Sequence, residues 1–129
     1  MSRGFRVWDK QTENYDWDRE FVLNSSGELM ELRSNHDGTW EYRFVDTDRF
    51  IIEFNTGLKD KNGKKIHEGD IVEYDWYIIG SKPAYRVKEQ VMFNDMGARV
   101  GNDRIRLCSN VEVIGNIHEN PELLGGKND

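Results

Sequence analysis

Short segments that alternate between apolar and polar residues, separated by turn signals, run through most of this chain. Residues 39–44 alternate at every position, and the preceding residues 35–38 end in Asp-Gly, a dipeptide typical of tight hairpin turns. No long segment carries the 3.6-residue apolar period of an amphipathic helix. The chain is therefore restricted to short strands joined by tight turns, which favours a sandwich or barrel over an α/β fold.

Residues 55–73 combine two turn signals with the start of a half-buried strand. Asn62-Gly63 and the later Gly69 each supply the positive φ that a tight turn requires. Beyond Gly69 the apolar residues fall at every second position, with acidic residues between them, which predicts that one strand face enters a core. The residues on that face are Val72, Tyr74, Trp76 and Ile78.

The composition indicates a modest core under a highly solvated surface. The chain has 129 residues, of which 36% are hydrophobic and 33% charged, enough for one domain or two small lobes. No apolar run approaches the roughly 20 residues that span a bilayer, and the N-terminus lacks an apolar signal core. Cys108 is the only cysteine, so no internal disulfide forms; it is interpreted as a small buried or half-buried thiol. We expect a cytoplasmic protein without membrane association.

The predicted fold is mainly β. It comprises an antiparallel meander in the N-terminal half, a small SH3-like barrel after it, and a short C-terminal helical turn. The predicted boundaries are residues 1–54 for the meander lobe, 55–124 for the barrel lobe and 125–129 for a disordered tail. The helical turn is predicted over residues 119–124, with Asn120 as its N-cap and Pro121 at its first position.

Three blocks of sequence carry a resemblance to a known family. Residues 5–10 read Phe-Arg-Val-Trp-Asp-Lys, where the family has Phe-Arg-Ala-Trp-Asp-Lys, and the other blocks are residues 56–72 and 113–124. In this order, over nearly the whole chain, they resemble the YopX family of phages and prophages of low-GC Gram-positive bacteria. The resemblance implies a mainly β, phage-encoded protein that can oligomerise, and it supplies no catalytic residues. His67 and His118 stand where relatives often have Tyr, so an aromatic-sized group is kept.

The formal net charge of −6 lies mostly in the first half of the chain. Residues 1–54 hold 7 basic and 12 acidic residues, whereas residues 55–129 hold 11 and 12. A broad nucleic-acid groove is therefore disfavoured, but a local basic patch in the second half is not. The candidate patch is the set of lysines at one turn, Lys59, Lys61, Lys64 and Lys65.

A solvated loop that keeps the hairpin from pairing with other strands is the favoured interpretation of these lysines. Three arginines would enlarge the patch if the barrel brings them together: Arg99, Arg104 and Arg106. Trp76 and Tyr77, near the end of a strand, could form a stacking platform for bases. Since neighbouring strand residues face opposite sides, one of the two is expected to point outward. Ordinary packing is favoured for this pair, with a partner-binding surface as the main alternative.

The sequence favours neither catalytic nor metal chemistry. The turn at Asp60 lacks the ligand spacing of a calcium loop, and its lysines would repel the ion. Three separated histidines and one cysteine form no zinc pattern. No phosphate-binding glycine loop or nucleophile motif occurs, and no cofactor is expected. A cluster of acids is interpreted as a solvated face: Asp9, Glu13, Asp16, Asp18 and Glu20.

Together these patterns predict a non-enzymatic phage or prophage accessory protein that binds a partner or self-assembles. Its partners would be further copies of the chain, meeting through β-edges or exposed aromatics, or an unidentified host or phage protein. The edges left by many short strands favour self-assembly, which would make the chain a homo-oligomer. The alternative is a nucleic-acid-binding module that uses the local basic patch.

Overall fold

The computed structural model of the chain describes residues 4–77, 83–94, 97–100, 103–105 and 108–125. For the strand residues at 76–77, 83–85, 94 and 103–104, only the backbone is described. Backbone packing divides the chain into two compact units, Met1–Glu53 (unit 1) and Phe54–Asp129 (unit 2). Each unit has its own hydrophobic core.

Unit 1 consists of short strands in two sheets. Its strands are β1 (Phe5–Asp9), β2 (Asn14–Tyr15), β3 (Phe21–Leu23), β4 (Leu29–Ser34), β5 (Trp40–Phe44) and the beginning of β6 (Phe50–Lys59), which continues into unit 2. β1 lies between β2 and β6, and β3, β4 and β5 form an antiparallel sheet in that order. The core consists of Val7, Phe21, Leu29 and Phe50, and the rings of Phe21 and Phe50 meet edge to face at 5.5 Å.

Unit 2 is built around one five-stranded antiparallel sheet. Beyond β6, the strands of unit 2 are β7 (Lys65–His67), β8 (Asp70–Tyr77), β9 (Pro83–Asn94), β10 (Gly97–Val100), β11 (Asp103–Arg104) and β12 (Ser109–Asn116). The sheet order is β11-β10-β9-β8-β12, and the second part of β6 forms a hairpin with β7. The core residues are Ile66, Val72, Tyr74, Val91, Val100 and Ile105.

The two turns predicted in residues 55–73 are confirmed. Gly63, with φ of 84°, closes the β6–β7 hairpin, and Gly69, with φ of 87°, stands between β7 and β8. Val72 and Tyr74 are buried, while Glu73 and Asp75 on the opposite face of β8 are only partly covered. The predicted alternation therefore holds from Val72 to Asp75, whereas Ile71, on the same face as Glu73, is fully buried, so both faces of β8 are covered at its start. Ile78 lies outside the described residues.

The C-terminal helical turn is a 3-10 helix, Pro121–Leu124, with Pro121 at its start. Asn120 occupies the N-cap position, but its side chain does not cap the helix. Its Oδ1 accepts a hydrogen bond from the backbone N–H of Asn116 instead, at 3.2 Å. The predicted capping bond is thus replaced by one that ties the end of β12 to the turn after it. Residues 126–129 of the predicted tail lie outside the described residues.

The prediction of a mainly β, antiparallel fold with a short C-terminal helical turn is confirmed. The SH3-like form of the second half and the predicted lobe boundaries stay predictions. Within the described ranges, no helix is long and apolar enough to cross a membrane.

Candidate protein-interaction surface

The most exposed strand of unit 1, β5, carries a row of three aromatic side chains. Every residue of β5 is exposed, and the aromatic residues occupy alternate positions. Trp40 is 64% exposed, Tyr42 47% and Phe44 65%. Since successive strand residues face opposite sides of a sheet, these three side chains lie on one face. A row of exposed aromatics is a feature of interaction surfaces rather than of ordinary solvated strands.

The turn before β5 fixes how this strand pairs with β4. The backbone N–H and hydroxyl of Thr39 both donate to Asp37 Oδ1, at 3.0 and 2.6 Å. Gly38 takes a φ of 88°, and the Asn35 N–H donates to the Thr39 carbonyl at 2.7 Å. This Asn-x-Asp-Gly turn therefore sets the register in which Tyr42 lies opposite Leu32.

The aromatic face of β5 continues onto half-buried apolar residues of β4 and β3. Phe44 lies opposite Met30, which in turn lies opposite Val22. Leu32, Met30 and Val22 are each only partly covered. The face is thus apolar across three strands. The core of unit 1 lies against the opposite face of this sheet, which carries Phe21 and Leu29.

β5 also forms one edge of its sheet. Among the described residues, β4 is the only strand that pairs with it. Because the Asn35 N–H binds the Thr39 carbonyl, the odd-numbered residues of β5 direct their backbone groups toward β4. The N–H and C=O groups of Trp40, Tyr42 and Phe44 therefore point away from the sheet. Unpaired groups of this kind are a template for an additional strand.

The opposite face of β5 is charged. Arg43 Nε donates to Glu41 Oε2 at 3.0 Å, and a terminal nitrogen of Arg43 donates to Asn35 Oδ1 at 2.6 Å. The Asn35 amide nitrogen donates to Glu41 Oε1 at 3.1 Å. The hydrogen bond from Arg43, together with that from Asn35, lowers the pKa of Glu41 below its ordinary value. Glu41 therefore carries a negative charge beside the positive charge of Arg43 along the exposed edge.

The acidic cluster predicted to be a solvated face contains a buried member. Asp9 is only 2% exposed, and both of its oxygens accept hydrogen bonds from Arg49. Arg19 binds Asp16 at 2.6 Å and Glu31 at 3.2 Å in the same network. The prediction was wrong for Asp9 because its arginine partner is 40 residues away in sequence. Glu13, Asp18 and Glu20 are exposed, as predicted.

A depression of about 530 Å³ lies over this ion-pair network, lined by Asp9, Arg19, Arg49 and neighbouring polar residues. Within it, Arg49 pairs with Asp9 and Arg19 pairs with Asp16. The hydrogen bond from Arg49 is the main reason that the pKa of Asp9 lies far below its ordinary value. A carboxylate with so low a pKa, bound through both oxygens to one arginine, is a poor general acid or base near neutral pH.

The four lysines predicted as a basic patch are all exposed and surround the β6–β7 hairpin. Lys59 and Lys65 lie directly opposite each other across the hairpin. Lys61 forms an ion pair with Glu112 at 3.5 Å, and Lys64 contributes a backbone N–H to the turn. The structure thus brings the lysines together, with one of them partly neutralised.

Asp60 holds this lysine turn in place. It is 8% exposed and accepts backbone hydrogen bonds from Asn62, Lys64 and Val113, each at 2.9 Å. Burial opposes its ionisation, but these three donors outweigh that effect and lower the pKa of Asp60. The turn is therefore fixed to β12, and no ligand is needed to explain the buried charge.

The remaining sequence candidates are only partly described. Trp76 and Tyr77 have their backbone in β8, but their side chains lie outside the described residues. Arg99 is half-buried in β10, only the backbone of Arg104 is described, and Arg106 lies outside the described residues. Cys108 is half-buried and lines a cavity of about 350 Å³ in unit 2. In the described ranges, no group of three or more His, Cys, Asp or Glu residues could hold a metal ion.

Comparison with known proteins identifies relatives of the chain. The profile of the family described as YopX protein matches residues 4–125. The chain belongs to the YopX family. No curated protein matches it. Five solved chains do match, and two of these cover nearly the whole sequence.

The first of these two structures is protein EF1440 from Enterococcus faecalis. The two sequences are 27% identical, the match covers 94% of this chain and 96% of that one, and the TM-score is 0.61. The second is protein YopX from Bacillus subtilis, with 23% identity, 96% and 99% coverage and a TM-score of 0.59. At 23% identity, the match to the Bacillus subtilis protein shows that the two folds are similar.

The matched region of the YopX family includes both candidate surfaces, since β5 and the lysine turn lie within residues 4–125. None of the binding residues predicted from the sequence lies in β5. The sequence signal for this surface is the alternation over residues 39–44, in which every apolar member is a large aromatic residue.

Proposed function

We propose that this YopX-family chain is a phage or prophage accessory protein that lacks enzymatic activity and works as a binding module that assembles with further copies of itself. The observation that carries the proposal is β5, where an unpaired sheet edge and a row of exposed aromatic residues coincide. Either feature alone is common, but their coincidence leaves apolar area and backbone hydrogen-bonding groups uncovered on the same strand.

The proposal is supported by comparing β5 with β12, an edge strand of the five-stranded sheet. In unit 2, the outer edge of β12 is covered by the lysine turn: the Lys61 N–H donates to the Val111 carbonyl at 2.8 Å, and Asp60 accepts from the Val113 N–H. β12 therefore resembles the protected edges of monomeric proteins. The same chain leaves the edge of β5 uncovered.

The absence of enzymatic activity is supported by the state of the charged groups in unit 1. In the depression beside Asp9, Arg49 lowers the pKa of Asp9 and so holds this carboxylate ionised. Groups in that state maintain a fold and do not exchange protons with a substrate near neutral pH. Bacterial cytoplasm is the compartment that we propose, in keeping with the single cysteine.

Self-assembly is tested by sedimentation of the full chain over a range of micromolar concentrations. We expect the mean mass to rise with concentration, and Trp40→Lys to weaken that rise. Trp17→Lys is the matched control, since Trp17 lies in unit 1 and is 63% exposed, against 64% for Trp40. A wild-type chain that is monomeric at every concentration would contradict the proposal. The phage assignment predicts that the transcript rises when a prophage carrying this sequence is induced.

A nucleic-acid-binding module using the lysine turn is the second candidate. One observation favours it: four exposed lysines surround a single hairpin, which concentrates positive charge that a phosphate backbone could contact. Titration with single-stranded DNA at low salt tests this function. Binding that weakens steeply with salt, and that is reduced in Lys59→Glu, would support it. Absent or salt-insensitive binding would exclude it.

A further inference from the structure

The residues of β5 are arranged symmetrically about Tyr42. Moving outward from it, Glu41 and Arg43 form an oppositely charged pair, and Trp40 and Phe44 form an aromatic pair. We propose that two copies of the chain join β5 to β5 in antiparallel orientation, with Tyr42 on the twofold axis. This inference rests on the self-assembly proposed above and specifies its geometry.

The alternation of inward- and outward-directed backbone groups along β5 is compatible with this pairing. The outward-directed backbone groups belong to Trp40, Tyr42 and Phe44. With Tyr42 on the axis, it faces Tyr42 of the second copy, and Trp40 faces Phe44 of the second copy. These positions are the hydrogen-bonded pairs of an antiparallel ladder, so the outward groups on both strands find partners.

Charge selects this register over its neighbours. With Tyr42 on the axis, Glu41 lies opposite Arg43 of the second copy at a non-hydrogen-bonded position, where side chains approach most closely. A shift of two residues in one direction places Glu41 opposite Glu41, and a shift in the other direction places Arg43 opposite Arg43. A shift of one residue breaks the hydrogen-bonding phase and places aromatic residues opposite charged ones.

The two faces of the resulting sheet are complementary as well. On the aromatic face, Trp40 and Phe44 from different copies become neighbours, flanked by the half-buried Met30 and Leu32 of each copy. On the other face, the Glu41–Arg43 pair of each copy, already joined at 3.0 Å, becomes part of a four-charge network. The pairing would extend two three-stranded sheets into one of six strands and remove the uncovered edge from both copies.

Charge reversal on the full chain tests the register. Arg43→Glu places two carboxylates opposite each other in both copies of the pair, and Glu41→Arg does the same with two guanidinium groups. Each single reversal is expected to weaken self-association about tenfold or more, since two cross-strand pairs change from attraction to repulsion. The double variant Glu41→Arg/Arg43→Glu restores opposite charges and is expected to return association to within about threefold of wild type.

Lys10→Glu is the matched control for net charge, because Lys10 is an exposed residue of unit 1 outside β5. It changes the charge by the same amount as Arg43→Glu and is expected to leave association unchanged. Single reversals without effect, or a double variant as weak as the singles, would overturn the register while leaving the proposed self-assembly in place. A monomeric wild-type chain would overturn both, and a different protein would then be the occupant of the β5 edge.

A cross-linking experiment provides a second measurement that does not depend on charge. In a Cys108→Ser background, Tyr42→Cys places two thiols opposite each other on the axis, where the Cα atoms of a hydrogen-bonded pair lie about 5.5 Å apart, within disulfide range. Mild oxidation is expected to yield a covalent dimer from Tyr42→Cys and little from Trp17→Cys, although position 17 is the more exposed of the two, at 63% against 47%. Equal yields from the two variants would overturn the pairing.

Discussion

Arg49 binds Asp9 through two parallel hydrogen bonds, from Nε to Oδ1 and from Nη2 to Oδ2, each 2.8 Å long. The Gln11 N–H donates to the same carboxylate at 2.9 Å. The Arg49 carbonyl also accepts a hydrogen bond from the Lys10 N–H at 2.9 Å. Residues distant in sequence are thereby joined at the end of β1, and the buried charge of Asp9 is satisfied from several directions.

Replacing Asp9 by Asn is expected to destabilise unit 1 by about 2 kcal/mol. Breaking a fully buried ion pair costs about 3–5 kcal/mol, but the Arg49 side chain is 27% exposed and partly rehydrates when its partner is lost. Urea unfolding followed by tryptophan fluorescence measures the change, because three of the four tryptophans, Trp8, Trp17 and Trp40, lie in unit 1. The exposed Asp48→Asn is the control, with an expected change within about 0.5 kcal/mol.

The same ion pair predicts a pH dependence. The Arg49 hydrogen bond lowers the pKa of Asp9 in the folded protein, whereas an unfolded aspartate ionises near pH ~4. The contribution of Asp9 to stability is therefore complete above that pH and is lost as the pH falls below it, because the unfolded chain then binds a proton that the folded carboxylate does not. We expect the stability difference between wild type and Asp9→Asn to shrink progressively as the pH falls below ~4. A constant difference between them down to strongly acidic pH would contradict this assignment.

Asp60→Ala is expected to destabilise unit 2 by about 2–3 kcal/mol, since it removes the acceptor of three partly buried backbone N–H groups. The amide proton of Val113 should then exchange faster with solvent, which hydrogen exchange measured by NMR detects. Asp60→Asn retains an acceptor oxygen and should lose less stability. Lys59→Ala, at an exposed neighbouring position, should change stability by less than about 0.5 kcal/mol. Unchanged Val113 exchange in Asp60→Ala would show that Asp60 does not hold the turn to β12.

Gly115→Ala is expected to cost about 1–3 kcal/mol through steric overlap. A Cβ atom at this position would lie 2.6 Å from Asn120 Oδ1 and 2.9 Å from Asn120 Cβ. The register of β12 shifts between Val113 and Gly115, and Asn120 of the following turn lies against Gly115. Gly4→Ala serves as the control because a Cβ at Gly4 would have no atom within 4 Å. Thermal unfolding of both variants would decide the matter, and equal melting temperatures would contradict the expected overlap.

The turns and strands of this protein could be predicted from local sequence. Gly63 and Gly69 adopt the positive φ that their sequence contexts predict, and Val72 and Tyr74 lie on the buried face that the period-two pattern indicates. These features depend on residues a few positions apart, where backbone sterics and strand periodicity act directly. The lysine turn is likewise local, and the structure gathers its four lysines around one hairpin.

The candidate surface on β5 could not be found in this way. Alternation over residues 39–44 predicts a strand with two unlike faces, and β5 has them, but the pattern does not specify what covers the apolar face. Phe93 shows the same limit: it continues the period-two pattern of β9, yet it is 40% exposed. Burial of a strand face depends on which other elements pack against it, and those are distant in sequence.

The amino-acid sequence by itself determined the antiparallel β architecture, the positions of its turns and the YopX family, because each of these is encoded in short-range periodicity and in conformationally special residues. The tertiary structure alone decided that Asp9 is buried against Arg49 and that Trp40, Tyr42 and Phe44 stand exposed on an open edge. The reason is physical: secondary structure follows from local sterics, whereas burial and ion pairing follow from long-range packing that brings together residues tens of positions apart.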